Sequence, residues 1–169
     1  MKTLFIPLDE RPCNYIFPQL LVTHKTDVHI CIPPIELLGH KKSPADTKKL
    51  SEFLISHVKD CDNLVLSIDM LLYGGLIPSR LHHLSEKELN ERLDIVHQIK
   101  NINPHIKIYA FHCIMRAPSY NSSEEEPDYY EDFGYALFRR KYLLDYQKRH
   151  GLSQEELLEL KSIHIPRDI

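Results

Sequence analysis

No run of this sequence approaches the length of apolar chain needed to cross a bilayer, and the N-terminus carries no export-signal core. Met1-Lys2-Thr3 leads into a short apolar run that Pro7 and Asp9 interrupt. The four cysteines (Cys13, Cys31, Cys61, Cys113) form no C-x-x-C pair, so the sequence predicts reduced thiols and a cytoplasmic protein. Neither charge sign dominates: the net charge is −3, which gives no basis for a nucleic-acid partner or a membrane surface. There is no G-x-G-x-x-G, P-loop or H-E-x-x-H, which removes the common nucleotide-binding and zinc-protease signatures. Internal repeats and low-complexity tracts are also missing.

What is present is an ordinary globular composition, 43% hydrophobic and 27% charged over 169 residues, enough for one domain with its own core. Apolar runs alternate with helical patterns. Lys2–Leu8, Val28–Ile32, Asn63–Ile68 and Lys107–Phe111 read as strands. Tyr15–His24 reads as a short amphipathic helix, and Ser43 and Pro44 as the start of a second one whose Leu50, Phe53, Leu54 and Val58 share a face. Ser85 with Glu88 forms a capping box for a third helix through about Lys100, with Leu89, Leu93 and Val96 inward. This alternation predicts an α/β fold with a mainly parallel four-stranded sheet and helices on both faces. Two arrangements fit: a Rossmann/flavodoxin-like sheet in the order 2-1-3-4, or half of a β/α barrel.

From Glu124 the character changes. An acidic helix start is followed by Phe133, Leu137, Tyr142 and Tyr146 at helical spacing, a stop at Gly151, and a short helix capped by Ser153 and Glu156. The expected organisation is an α/β domain over 1–123 and a helical extension over 124–169. Ser162–Ile169 reads as a connector into a missing C-terminal region.

Three strands run straight into polar clusters, and in α/β sheets ligands bind outside the carboxyl ends of the strands. The first cluster is Asp9, Glu10 and Arg11; the second is Asp69 with Tyr73, Gly74 and Gly75, then Arg80; the third is His112-Cys113, Arg116, Tyr120 and Asn121. Asp9 and Asp69 are the candidate catalytic carboxylates, neighbours if strands one and three pair. Glu10, Arg11, Tyr73, Gly74, Gly75, Arg80, Arg116, Tyr120 and Asn121 are the candidate substrate-binding residues, the arginines as forks for an anionic group. The plainer alternatives are that Asp9 caps its own turn beside Arg11, that Gly74-Gly75 makes a turn, and that Asn121, Ser122 and Ser123 cap a helix. His112 and Cys113 invite a metal or a nucleophile reading, but neighbours on a strand point to opposite faces, and no metal site is assigned. Lys41-Lys42 and His82-His83 read as solvated.

These same strings, Pro7-Leu8-Asp9-Glu10-Arg11-Pro12-Cys13-Asn14-Tyr15, Ser67 through Leu76 with Ser79-Arg80, and Ile114 through Pro118 with Tyr120 through Tyr129, resemble the bacterial family named domain of unknown function 4127. The resemblance covers essentially the whole chain. Members are typically much longer, so it implies an N-terminal third; it implies no activity and no cofactor. The functional expectation rests on the residues alone: an enzyme, of hydrolase type, acting on a small sugar-like or anionic molecule through strand-end carboxylates. The alternatives are a non-catalytic small-ligand module, or an inactive fragment that needs a missing C-terminal domain or an oligomer partner.

Overall fold

A computed structural model describes residues 1–25 and 27–166. Four strands, β1 (Lys2–Ile6), β2 (His29–Cys31), β3 (Asn63–Ser67) and β4 (Lys107–Phe111), form one sheet in the order β2-β1-β3-β4 with every pair parallel. A barrel half would run in sequential order; the observed order, with its reversal of direction after β2, is that of a doubly wound sheet. Leu4 aligns with Cys31 on one side and Leu64 on the other, and Leu64 with Ile108.

Three helical connections join the strands on the expected plan: α1 (Pro12–Val22), α2 (Thr47–His57) and, between β3 and β4, a chain of short helices. These are α3 (Ile68–Tyr73), α4 (Pro78–Leu81), α5 (Glu86–Leu93) and α6 (Ile95–Ile102). Right-handed crossovers put α1 on one face of the sheet and α2 with α5–α6 on the other. The core lies on the second side. Leu4, Ile6, Leu64 and Leu66 are fully buried there with Leu50 and Leu54 of α2 and Ile99 of α6. The opposite face is thinly covered, with Tyr109 exposed, and α1 buries none of its residues.

Several local expectations are corrected. Helix α2 begins at Thr47 with Asp46 as its cap, not Ser43: the Asp46 carboxylate accepts from the N–H groups of Lys48 and Lys49 (3.2 and 3.1 Å), whereas Ser43 pairs with His40 in an isolated bridge. Two backbone hydrogen bonds join those residues, His40 N–H to the Ser43 carbonyl at 3.0 Å and Ser43 N–H to the His40 carbonyl at 2.9 Å. The Ser85 capping box forms as expected, but the helix it opens breaks at Asp94, and Leu93 at that break is 41% exposed instead of inward. Helix α1 is not amphipathic. Tyr15, Pro18, Gln19 and Val22 are half-buried on its inner side, while Ile16, Phe17, Leu20 and Leu21 on the outer side are apolar and exposed.

The chain divides into two compact units, Met1–Ile114 and Met115–Ile169. The second holds α7 (Tyr130–His150) and α8 (Gln154–Ser162). Helix α7 starts at Tyr130 rather than in the acidic run at Glu124, with Glu131 and Asp132 in its first turn, where negative charge complements the dipole. Gly134 lets the 120–121 segment cross the helix: a Cβ there would lie 2.6 Å from the Tyr120 carbonyl oxygen. Arg139 forks onto Glu159 at 2.6 and 2.7 Å, tying α7 to α8. The last three residues of the predicted connector, 167–169, lie outside the described residues. No helix among the described residues is long and apolar enough to cross a membrane.

Candidate functional site

Asp69 is the best-buried charged side chain near the strand ends, 1% exposed, and it does not sit in a loop. The apolar run that forms β3 passes directly into α3: Ser67 ends the strand and caps the helix, accepting from the Met70 N–H at 3.2 Å. Asp69 therefore occupies the first turn of α3. Its Oδ2 accepts the Cys113 N–H at 3.0 Å, and its Oδ1 lies 3.4 Å from Nε2 of His112. The His112 side chain is about half exposed, 52% against 1% for its carboxylate partner. A buried carboxylate fixed by a backbone donor thus faces an imidazole that is open to solvent.

Gly74 closes α3 in the left-handed conformation (φ 81°, ψ 24°), which turns the chain back toward the sheet. The position admits no side chain, since a Cβ would lie 2.6 Å from the Ala45 nitrogen and 2.9 Å from its oxygen. The Ala45 N–H donates to the Gly74 carbonyl at 3.0 Å, locking the segment before α2 onto this turn. Gly75 (φ 135°) lies against the end of β1, where a Cβ would come 3.9 Å from the Leu8 carbonyl oxygen. Both glycines are buried in a turn. The turn named as the plainer alternative for them is present.

Asp9, 5% exposed, follows β1 and is fully engaged by its own turn. Its Oδ1 accepts from the Arg11 N–H (3.1 Å) and from Nδ2 of Asn14 (2.6 Å); its Oδ2 accepts from Nε and Nη2 of Arg11 (2.9 and 2.6 Å). Of the two readings for Asp9, the geometry is that of the turn cap and ion pair. Glu10 is similarly committed, with Oε1 accepting the Lys41 N–H at 2.9 Å and 3.1 Å from Nδ1 of His40. It steadies the connector where Lys41 takes a left-handed φ of 50°.

The first two clusters and the His112-Cys113 pair nevertheless share one electrostatic neighbourhood. The Cys113 thiol is held above its ordinary pKa first by burial and next by the Asp69 carboxylate, with Asp9 adding in the same direction and Arg80 opposing. A thiol held in its neutral form is a poor nucleophile, so the arrangement disfavours the Cys113 nucleophile reading. The Tyr73 ring stacks on His82 at 4.4 Å and on His112 at 6.4 Å.

In the second unit, Arg116 donates from Nη2 to the Tyr120 hydroxyl at 2.6 Å, its guanidinium 5.7 Å from that ring. Asn121 braces the start of α7, donating to the Asp132 carbonyl (3.2 Å) and accepting the Tyr135 N–H (2.8 Å). The Ser123 N–H and hydroxyl both donate to Glu131 at 2.9 Å. Neither Asn121 nor Ser123 caps α7, whose N-cap is Tyr129; both brace its first turns from the preceding segment. No group of three or more His, Cys, Asp or Glu side chains among the described residues has the arrangement of a metal site.

The fold and these strand ends define a doubly wound α/β protein whose polar groups gather where β1, β3 and β4 finish. The chain belongs to the family described as protein of unknown function, DUF4127, whose model matches residues 3–169. No curated protein and no solved structure matches it.

Sequence reasoning missed Asn14 as a site residue and placed His112 in the third cluster without its partner. Asn14 gave only a polar position in the first turn of α1. His112 was visible as a polar residue after a strand, but its partner is 43 positions away in sequence, and only the β3–β4 pairing brings the two together.

Proposed function

We propose that this chain is an enzyme acting on a small polar molecule, with His112 as the group that moves the proton and Asp69 as the carboxylate that positions it. One observation carries the reading: a 1% exposed carboxylate, pinned by the Cys113 N–H, lies 3.4 Å from the ring nitrogen of a half-exposed histidine. Buried Asp behind accessible His is the arrangement in which a carboxylate orients an imidazole and stabilises the imidazolium formed when it accepts a proton.

Hydrolysis is the reaction class that uses such a pair with least additional machinery. His112 takes a proton from water as the oxygen bonds to the electrophilic centre. The bond to the leaving group breaks, and His112 returns the proton to that group. The Asp69 carboxylate, 3.4 Å from the ring, offsets its charge. Asp9 is a scaffold group here, because each of its oxygens already accepts two hydrogen bonds. It holds Arg11 and Asn14 at the end of β1. Tyr73, stacked beside His112, offers a face for the substrate.

The test is turnover of a panel of nitrophenyl acetate, phosphate and glycosides by the full chain and by His112→Gln and Asp69→Asn. The reading expects His112→Gln to reduce kcat at least about 100-fold, the scale of losing an acid–base group. Asp69→Asn should lower kcat with little change in KM and flatten the pH profile. A purely structural role for Asp69 would instead lower folded protein and leave the profile of the remainder unchanged. Turnover that His112→Gln leaves intact refutes the assignment. A chain that binds panel compounds and converts none would be the non-catalytic ligand module.

A further inference from the structure

We propose that the pocket lined in part by Tyr73, whose ring also stacks on His112, is an oxyanion site, which takes a phosphate, sulfate or carboxylate group of the ligand. The pocket has a volume of about 270 Å³ and is walled by Lys42, Thr47, Tyr73, His82, His83 and Arg92 together with apolar Pro, Ala and Leu side chains. A lysine, an arginine, two histidines, a threonine and a tyrosine line it, and no carboxylate does among the described residues. In a chain where acids outnumber bases 24 to 21, an all-basic wall is a local concentration of positive potential. Its members come from four separate places: the connector before α2, the first residue of α2, the segment from the end of α3 to that after α4, and α5. Such convergence from distant segments is how anion subsites are built, because one element rarely supplies donors from several directions.

The donors are also held in place. Arg92 reaches back to donate from Nη1 to the Leu72 carbonyl, which fixes its guanidinium at the pocket edge. The His82 ring stacks on Tyr73, and its Nδ1 accepts the Leu84 N–H at 3.2 Å, so in the neutral ring the proton is carried on Nε2. Glu88, one turn before Arg92 on α5, is engaged in the Ser85 capping box, accepting from the Ser85 N–H and hydroxyl at 2.8 and 2.7 Å. Lys42 and His82-His83, which looked like solvated loop residues in the sequence, belong to one concave wall.

Resting on the proposed catalytic reading, the pocket names the substrate class. Tyr73 lines the pocket and its ring centroid lies 6.4 Å from that of His112, so one residue links the oxyanion site to the acid–base pair. A small molecule with an anionic group at one end and a hydrolysable bond at the other would span the two.

The experiment is calorimetric titration of the full chain with inorganic phosphate, sulfate and acetate at constant ionic strength. Wild type, Lys42→Met, Arg92→Gln and His112→Gln are compared, and the fold of each is checked by circular dichroism. Saturable one-to-one binding of at least one anion is expected, weakened about tenfold or more in Lys42→Met and Arg92→Gln and unchanged in His112→Gln. The tightest of the three anions identifies the group. Lys42 is exposed, so its variant remains informative if Arg92→Gln, which also loses the Leu72 contact, fails to fold. No saturable binding, or equal affinity in wild type and Lys42→Met, overturns the proposal. Anion binding without any turnover would contradict the catalytic reading and leave the pocket standing; turnover without anion binding would do the reverse.

Discussion

Replacing Gly74 by alanine should destabilise the Met1–Ile114 unit by about 1.5–3.5 kcal/mol, the sum of two separable effects. The residue closes α3 with φ 81°, where a side chain costs about 1–2 kcal/mol in an L-residue. The added Cβ would also stand 2.6 Å from the Ala45 nitrogen, 2.9 Å from its oxygen and 2.9 Å from Cβ of Pro44. Two of those three atoms are backbone, so relief requires the 44–45 segment to move. That movement breaks the Ala45 N–H to Gly74 carbonyl bond, worth about 0.5–1.5 kcal/mol net. For a domain of this size the melting temperature should fall by roughly 5–15 °C. Urea unfolding followed by circular dichroism gives the free energy. Hydrogen exchange on residues 1–114 assigns it to this unit. Gly74→Asn separates the two effects, because asparagine tolerates the left-handed backbone yet still carries a Cβ. The collision requires Gly74→Asn to lose at least about 1 kcal/mol. An asparagine variant as stable as wild type would refute the close approach of this turn to Ala45.

Other consequences are equally direct. Leu54→Ala removes a fully buried side chain from the α2 face against the sheet and should cost about 2–5 kcal/mol in urea unfolding; a loss below about 1 kcal/mol would mean the site collapses around it. In the second unit the Arg139 fork holds the Glu159 carboxyl below its ordinary pKa, so the α7–α8 tie is present above the ordinary glutamate range and is lost as pH falls through the depressed value. Hydrogen exchange in α8, corrected for intrinsic rate, should speed up on acidification in wild type and be fast at all pH in Glu159→Gln; identical profiles would contradict the tie. Asp69→Ala should destabilise more than Asp69→Asn by about 1–3 kcal/mol, because alanine leaves the Cys113 N–H without its acceptor while asparagine retains an oxygen there.

The strand count, the 2-1-3-4 order and the Ser85 box were readable because each rests on local pattern plus one handedness rule. Apolar runs of strand length alternate with helical periodicity, and short right-handed crossovers leave few arrangements. Helix α3 was not readable for a local reason too. Apart from Ser67 and Asp69 the run Leu64–Leu72 is apolar through the change from strand to helix, so periodicity does little to mark the join. The signal that was present is Ser67, a capping residue inside an apolar run. At α2 two capping residues compete three positions apart, and Asp46 wins because Ser43 is held in the His40 bridge. The site was legible as a place and less so as a set of roles. That polar groups collect at the ends of β1, β3 and β4 follows from the pattern. That Asp9 is engaged by its own turn while Asp69 faces His112 depends on side-chain partners beyond any sequence spacing.

The most direct measurement of that convergence is the pH dependence of Cys113 alkylation, resolved from the other three cysteines by mass spectrometry. Burial, Asp69 and Asp9 raise its pKa, and Arg80 opposes them. Cys113 should therefore react as a thiolate only above the ordinary thiol range. Removing a negative charge favours the thiolate, so Asp69→Asn and Asp9→Asn should each move the profile to lower pH, and Arg80→Gln should move it higher. A Cys113 that titrates as an ordinary thiol, with a profile indifferent to Asp69→Asn, would contradict the gathering of these strand ends into one site.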